Sequence, residues 1–129
     1  MAKEQPLTIP FVIKNDWAKE AGMKPCGAAN GYVAVSPDHI LHGYHYDEIN
    51  DFDIHGGLTF AASAEDCCYG IEQREDCLLL RDGDSIPPKS YWVFGFDTFH
   101  YDDDEFDWNI DAVINETFEL ERQLLDCWI

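Results

Sequence analysis

The alternation of apolar and polar positions along the chain predicts a set of short strands. The most apolar is 91–97, and because apolar residues fill nearly every position we expect a central strand covered on both faces. The remaining candidates are rich in β-branched, aromatic or other apolar residues, and turn residues bound them. These other predicted strands are 11–13, 31–36, 57–63 and 77–81.

A different period marks the last part of the chain. From Asn109 to Asp126, apolar residues recur every three or four positions, which is the spacing of an amphipathic helix. Asp107 and Asp111 lie near the predicted N-terminal end, where the helix dipole favours acidic side chains. The apolar stripe consists of Ile110, Val113, Ile114, Thr117, Phe118, Leu120, Leu124, Leu125 and Trp128.

These elements predict a single α+β domain over 1–129, in which a small antiparallel sheet carries the packed C-terminal helix. Residues 1–10 contain two prolines and are expected to form an extended lead-in. A short helix is predicted over 15–21. Residues 37–56 are predicted to be a polar and aromatic loop, and 64–90 a variable loop region with a mobile turn.

The chain is strongly acidic. Its 129 residues include 26 Asp and Glu against 8 Lys and Arg, so the formal net charge is −18. Nucleic-acid binders need a basic surface, and direct nucleic-acid binding is therefore excluded. No apolar run approaches the ~18 residues of a membrane span, and the first residues lack a secretory pattern. We expect a cytoplasmic protein without membrane contact.

The cysteines agree with that compartment, because their number is odd and reduced thiols are usual in a cytosol. Five free thiols are therefore expected. A zinc site from Cys67, Cys77 and a histidine is an alternative, although the chain has no Cys-x-x-Cys pair. The cysteines are Cys26, Cys67, Cys68, Cys77 and Cys127.

Polar residues gather at the ends of two predicted strands. If 57–63 and 91–97 are antiparallel neighbours, the start of one lies beside the end of the other. This arrangement would bring two histidines, an aspartate, a threonine and two glycines to one edge of the sheet, where a ligand can approach the backbone. The residues of this predicted ligand site are His55, Gly56, Gly57, Thr59, Asp97 and His100.

Such a group suits acid–base or metal chemistry. A histidine beside a carboxylate is an oriented acid or base near neutral pH, and two histidines with aspartates match a divalent metal that activates a water. In the structural alternative, His55 bonds a backbone carbonyl and Asp97 caps the turn after its strand. Both interpretations stay open. For His39, His42 and His45, a structural or solvent-exposed role is favoured.

An acidic run follows the predicted site and is expected to be a solvated loop. A calcium or magnesium role is an alternative, but the spacing does not match an EF-hand loop. The segment 97–129 holds eleven acidic residues and Arg122 as its only Lys or Arg, so it would present a negative face to a partner. The run consists of Asp102, Asp103, Asp104 and Glu105.

Three stretches of the chain carry a distinctive pattern: 30–35 with Asp38, His39 and Gly43, then 53–60, and 92–100. Together they resemble a family of small, mostly uncharacterised phage and prophage proteins. These proteins combine a GYV strand, an HGGLTY-like segment, a WxGFDxAH-like segment and a C-terminal helix. The resemblance covers roughly residues 26–63 and 90–126. It implies a phage protein in the host cytoplasm, with His55, Asp97 and His100 acting together.

Two functional hypotheses follow. In the first, a phage accessory protein binds, or hydrolyses, a small nucleotide-type ligand at the His/Asp site and thereby acts in counter-defence. The net charge of −18 opposes an anionic ligand unless a divalent metal or local basic groups offset it. In the second, the acidic protein inhibits a host defence protein by occupying its basic nucleic-acid channel. Whether a reaction is catalysed stays open.

Overall fold

Five strands form one antiparallel sheet in the order β3-β5-β2-β1-β4. The computed structural model describes residues 6–15, 20–22, 27–49, 52–69, 77–99, 103–104 and 106–127. The predicted α+β class, with an antiparallel sheet and a C-terminal helix, is confirmed. The strands are β1 (Thr8–Lys14), β2 (Ala29–Val35), β3 (Phe60–Ser63), β4 (Cys77–Leu79) and β5 (Trp92–Phe96), and the helices are α1 (Ala64–Cys68), α2 (Ile110–Leu125) and a short 3-10 helix (Tyr46–Glu48).

All five predicted strands are present, but several of their boundaries are shifted. β5 lies between β3 and β2 and is buried along nearly its whole length, as the apolar run 91–97 predicts. The strand predicted from residue 57 begins only at Phe60. Gly56 and Gly57 have φ angles of 69° and 75°, and the Gly57 N–H donates to the Ile54 carbonyl at 2.9 Å. This turn delays the strand because positive φ is incompatible with extended pairing.

The predicted lead-in is partly wrong, because β1 begins at Thr8. Pro10 is part of this strand and lies opposite Val33 of β2. On its other side β1 pairs with β4 only over Phe11–Ile13. At Pro10, β1 is therefore unpaired on the side of β4. A proline is tolerated there because no hydrogen bond between strands requires its missing N–H. The short helix predicted over 15–21 lies mostly outside the described residues.

Both faces of the sheet are covered. Along β1, Ile9, Phe11 and Ile13 point to one face and Val12 to the other, which is the two-residue period of a strand. The face that contains Val12 packs against α2. The core between this face of the sheet and α2 contains the buried residues Val33, Val35, Phe94, Phe96, Val113, Leu120 and Leu124.

The opposite face is covered by part of the segment predicted to be a variable loop. Within 64–90 the structure has α1 and β4, and Ala64 and Cys68 pack with Phe11 and Val93. Ser63 caps α1 by accepting a hydrogen bond from the Asp66 N–H at 3.2 Å. This part of the chain therefore completes the core as a second layer.

Helix α2 matches its predicted length, with Asn109 as the N-cap and Asp126 as the C-cap. One described position of the predicted stripe differs, because Leu125 is 37% exposed. Trp128 lies outside the described residues. Conversely, Glu121 is buried on the sheet side, where its Oε2 accepts from the Thr8 hydroxyl at 2.7 Å. Nη1 of Arg81 forms an ion pair with the same oxygen at 3.1 Å, so the charge of the buried carboxylate is compensated.

One glycine determines how closely α2 approaches the sheet. A Cβ on Gly31 in β2 would lie 2.2 Å from the Thr117 hydroxyl oxygen and 2.4 Å from the Phe96 ring. Thr117 is fully buried, and its hydroxyl donates to the Val113 carbonyl at 2.7 Å. The absence of a side chain at Gly31 therefore lets the helix rest directly on the central strand.

Candidate functional site

The strand pairing places the two predicted site segments side by side. β3 and β5 are antiparallel neighbours, with Phe60 opposite Gly95. Just before β3, the Thr59 N–H donates to the Gly95 carbonyl at 3.0 Å. The glycine turn therefore lies at the same edge of the sheet as Asp97, which follows β5.

His55 is held by three groups on the C-terminal part of the chain. Its ring Nε2 lies 2.7 Å from Oδ1 of Asp103, and its backbone N–H donates to Oε2 of Glu116 at 3.0 Å. The imidazole also lies against the Trp108 ring, with 4.0 Å between the ring centroids. The His55 side chain is 22% exposed, so it is oriented and reachable from one side.

Asp103 is a buried residue, 2% exposed, which corrects the prediction that it belongs to a solvated acidic surface. A buried carboxylate requires charge-compensating or hydrogen-bonding partners, and His55 supplies one of them. Asp104 is exposed, as predicted for that surface. The remaining predicted members, Asp102 and Glu105, lie outside the described residues.

Asp97 has the geometry of a turn residue. Its Oδ1 accepts a hydrogen bond from the backbone N–H of Phe99 at 3.2 Å, which is the pattern of an Asx turn. The predicted direct contact between His55 and Asp97 stays a prediction, since the described partner of the imidazole is Asp103. The third member of the predicted cluster, His100, lies outside the described residues.

The other histidines have structural contacts. His39 is 4% exposed, and its ring bridges the Leu41 N–H at 3.0 Å and the Leu124 carbonyl at 2.7 Å. This bridge ties the loop after β2 to the end of α2. His42 Nε2 contacts the Ser90 carbonyl at 2.7 Å, and exposed His45 caps the 3-10 helix. These contacts match the structural role favoured for them.

Metal chemistry has little support in the described part of the chain. Among those residues, no group of three or more His, Cys, Asp or Glu side chains is arranged to hold a metal ion. The four described cysteines are thiols, while Cys26 lies outside the described residues. The divalent metal and the zinc alternative from Cys67 and Cys77 therefore stay predictions.

The residues that the sequence reasoning missed form one turn after Asp103. The Trp108 N–H donates to the Asp104 carbonyl at 2.9 Å, and the Asp107 N–H donates to the Asp104 side chain at 2.7 Å. Between these bonds Phe106 projects into solvent and is 88% exposed. The sequence signal that could have identified this turn is an aromatic residue, Phe106, inside a run of acidic residues. We call Asp104, Phe106 and Asp107 the Phe106 surface.

This turn is attached to the body of the protein. The Trp108 carbonyl accepts from the Ala28 N–H at 2.9 Å, and its ring lies on His55. On the other side of the turn, Asp103 bonds the same imidazole. His55 therefore fixes both ends of the segment that carries Phe106.

We expect His55→Ala to destabilise the protein by about 2 kcal/mol, because it removes a described partner of a buried carboxylate. The matched control is His45→Ala, since His45 pairs with Asp47 at 3.5 Å but both side chains are more than half exposed. Exposed pairs contribute below ~1 kcal/mol. Chemical denaturation followed by fluorescence measures both changes. Equal losses in the two variants would contradict the bracing role.

Within the described ranges, no helix is long and apolar enough to cross a lipid bilayer. Comparison of the chain with protein-family models, curated proteins and solved structures gives no match, so the geometry of the site is the basis for a functional proposal.

Proposed function

We propose that this protein is an acidic binding module that docks onto a basic surface of a partner protein through the Phe106 surface. The observation that carries the proposal is the 88% exposure of Phe106 between two exposed aspartates. Full burial of a phenylalanine side chain contributes roughly 1.5–3 kcal/mol, a gain that this position forgoes in the isolated chain. Aromatic residues in this situation are typical anchors of protein interfaces.

Rigidity supports the same proposal. Trp108 and Asp103 fasten the two ends of the turn to His55, so Phe106 is presented in a defined position. An anchor that is already ordered loses less conformational entropy on binding than a flexible one. The His55 site then has a positioning role, and the residue that contacts the partner is Phe106.

Charge indicates the kind of partner. Asp104 and Asp107 flank the anchor, and Asp111 follows in the exposed first turn of α2. With a net charge of −18, the protein is steered toward basic surfaces and away from nucleic acids. In the phage setting that the sequence resemblance implies, such a partner would be a host defence protein whose basic nucleic-acid channel is occupied by this surface.

The test is salt-dependent binding of purified host nucleases to the immobilised protein. We expect binding that weakens with salt, and a loss of about thirtyfold in Phe106→Ala, the size typical of an interface hot spot. Ile40→Ala is the control because Ile40 is 47% exposed and belongs to the loop after β2. Binding that is independent of salt, or equal in the two variants, would refute the proposal.

A second candidate is the small nucleotide-type ligand at the predicted site. The observation that favours it is the open backbone beside an oriented imidazole: a Cβ on Gly57 would have no neighbouring atom within 4 Å. Asp103 and Glu116 adjoin the same histidine and oppose an anion, so this ligand would need a divalent metal to offset them. Native mass spectrometry of the purified protein decides it, since a co-purified nucleotide with metal supports this candidate and a bare chain opposes it.

A further inference from the structure

A pocket lies between the loop after β2 and the C-terminal end of α2, far from the Phe106 surface. Its cavity volume is about 380 Å³, and Leu41, Ile49 and Phe52 form apolar walls. Helix α2 has sixteen residues, so roughly 24 Å of helix separates its two ends. A cavity of this size is within the range of small-molecule sites.

The pocket is built by specific contacts between the loop and the helix. Gln123 makes two hydrogen bonds to the backbone of Asp53, accepting from its N–H and donating to its carbonyl, each at 2.9 Å. The His39 ring adds the 2.7 Å contact with the Leu124 carbonyl. These contacts hold the walls in place, so a ligand would not have to order them.

Among the described residues that line the pocket, the charged side chains are two carboxylates, Glu48 and Asp126. The described contacts use one oxygen of each, because Glu48 Oε1 accepts from the His45 N–H and Asp126 Oδ2 accepts from Arg122. Arg122 is shared with Glu119, so it offsets only part of the negative charge. The C-terminal end of a helix adds a partial negative charge of its own.

We propose that this pocket binds a small organic cation with an apolar body, of which a protonated arylalkylamine is the simplest form. The apolar walls of Leu41, Ile49 and Phe52 would cover the body, while Glu48 and Asp126 would face the ammonium group. The same carboxylates and the helix end exclude a carboxylate or phosphate from the pocket. This site is independent of the proposed protein partner.

Cys127 in the pocket wall provides the readout. Its thiol donates to the Gln123 carbonyl at 3.2 Å, and burial together with the nearby Asp126 raises the pKa of the thiol. Alkylation is therefore slow at neutral pH and is best followed in mildly alkaline buffer. Cys77, in β4, is the internal reference thiol because it packs with the opposite face of the sheet.

The experiment compares three probes with an indole body: tryptamine, 3-methylindole and indole-3-propionate. We expect tryptamine to protect Cys127, but not Cys77, from iodoacetamide, and to bind on the order of tenfold more tightly than the other two. The combined variant Glu48→Gln and Asp126→Asn should lose that preference. Asp111→Asn, which removes an exposed carboxylate at the other end of α2, should retain it.

Equal protection by all three indoles would show an apolar cavity without charge selection and would overturn the proposal. Absence of protection by tryptamine would overturn it as well. Neither result depends on Phe106, so binding of a basic protein is judged separately by the nuclease experiment.

Discussion

Leu124→Asp is expected to unfold the protein or to lower its free energy of unfolding by at least ~4 kcal/mol. Leu124 has no exposed surface and packs in the core between α2 and the sheet. The substitution removes a buried apolar side chain and places a carboxylate where the described core is hydrophobic, so cavity and desolvation costs add. Most domains have only 5–15 kcal/mol of stability in total.

The next residue provides the control. Leu125 is 37% exposed, so Leu125→Asp should cost below ~1 kcal/mol although the chemistry of the substitution is identical. Urea denaturation of both variants measures the difference. Midpoints that coincide would mean that the orientation of α2 on the sheet differs from the one described.

Gly31→Ala is expected to lower stability by about 3 kcal/mol, which corresponds to a melting temperature lower by roughly 10 °C. The new methyl group would meet the Thr117 hydroxyl at 2.2 Å and the Phe96 ring at 2.4 Å. Both neighbours are buried, so relief requires α2 to move away from the central strand.

Two further variants separate packing from backbone effects. Gly43→Ala places a methyl group where no atom lies within 4 Å, so it reports only the strain of a positive φ of 91°. Thr117→Ala combined with Gly31→Ala removes one of the two clashes, and we expect a positive coupling between them in a double-mutant cycle. A single Gly31→Ala variant that melts within two or three degrees of the parent would contradict the close approach.

The sequence predicted the elements well because each follows a local pattern. The stripe from Ile110 to Leu124 and the apolar run of β5 identify their own type. The start of β1 was missed because prolines weigh against strands, and only the short pairing with β4 shows why Pro10 is tolerated. Burial of Glu121 was also unpredictable, because its compensating partners Thr8 and Arg81 are distant in the chain.

For the site, the sequence identified the strands but neither their pairing nor the bonds between side chains. The predicted site assumed that β3 and β5 are antiparallel neighbours, and the structure meets this condition. The partner of His55 depends on how the chain turns between β5 and α2, and no periodicity encodes that path. The acidic run suggested uniform exposure, yet Asp103 points inward to the imidazole and Phe106 points outward.

The strand order also bears on how the chain folds. Among the described strands, only β1 and β2 are sheet neighbours that follow each other in the chain, with residues 15–28 between them. β3 and β5 are separated by residues 64–91, and the other pairings join still more distant segments, such as Phe11 with Leu79 and Gly31 with Phe96. Pairings between distant segments require closure of long loops, which slows folding. We therefore expect the β1–β2 pair to form early. The edge strand β4, held by three residue pairs, should join last and exchange its amide hydrogens fastest among the five strands.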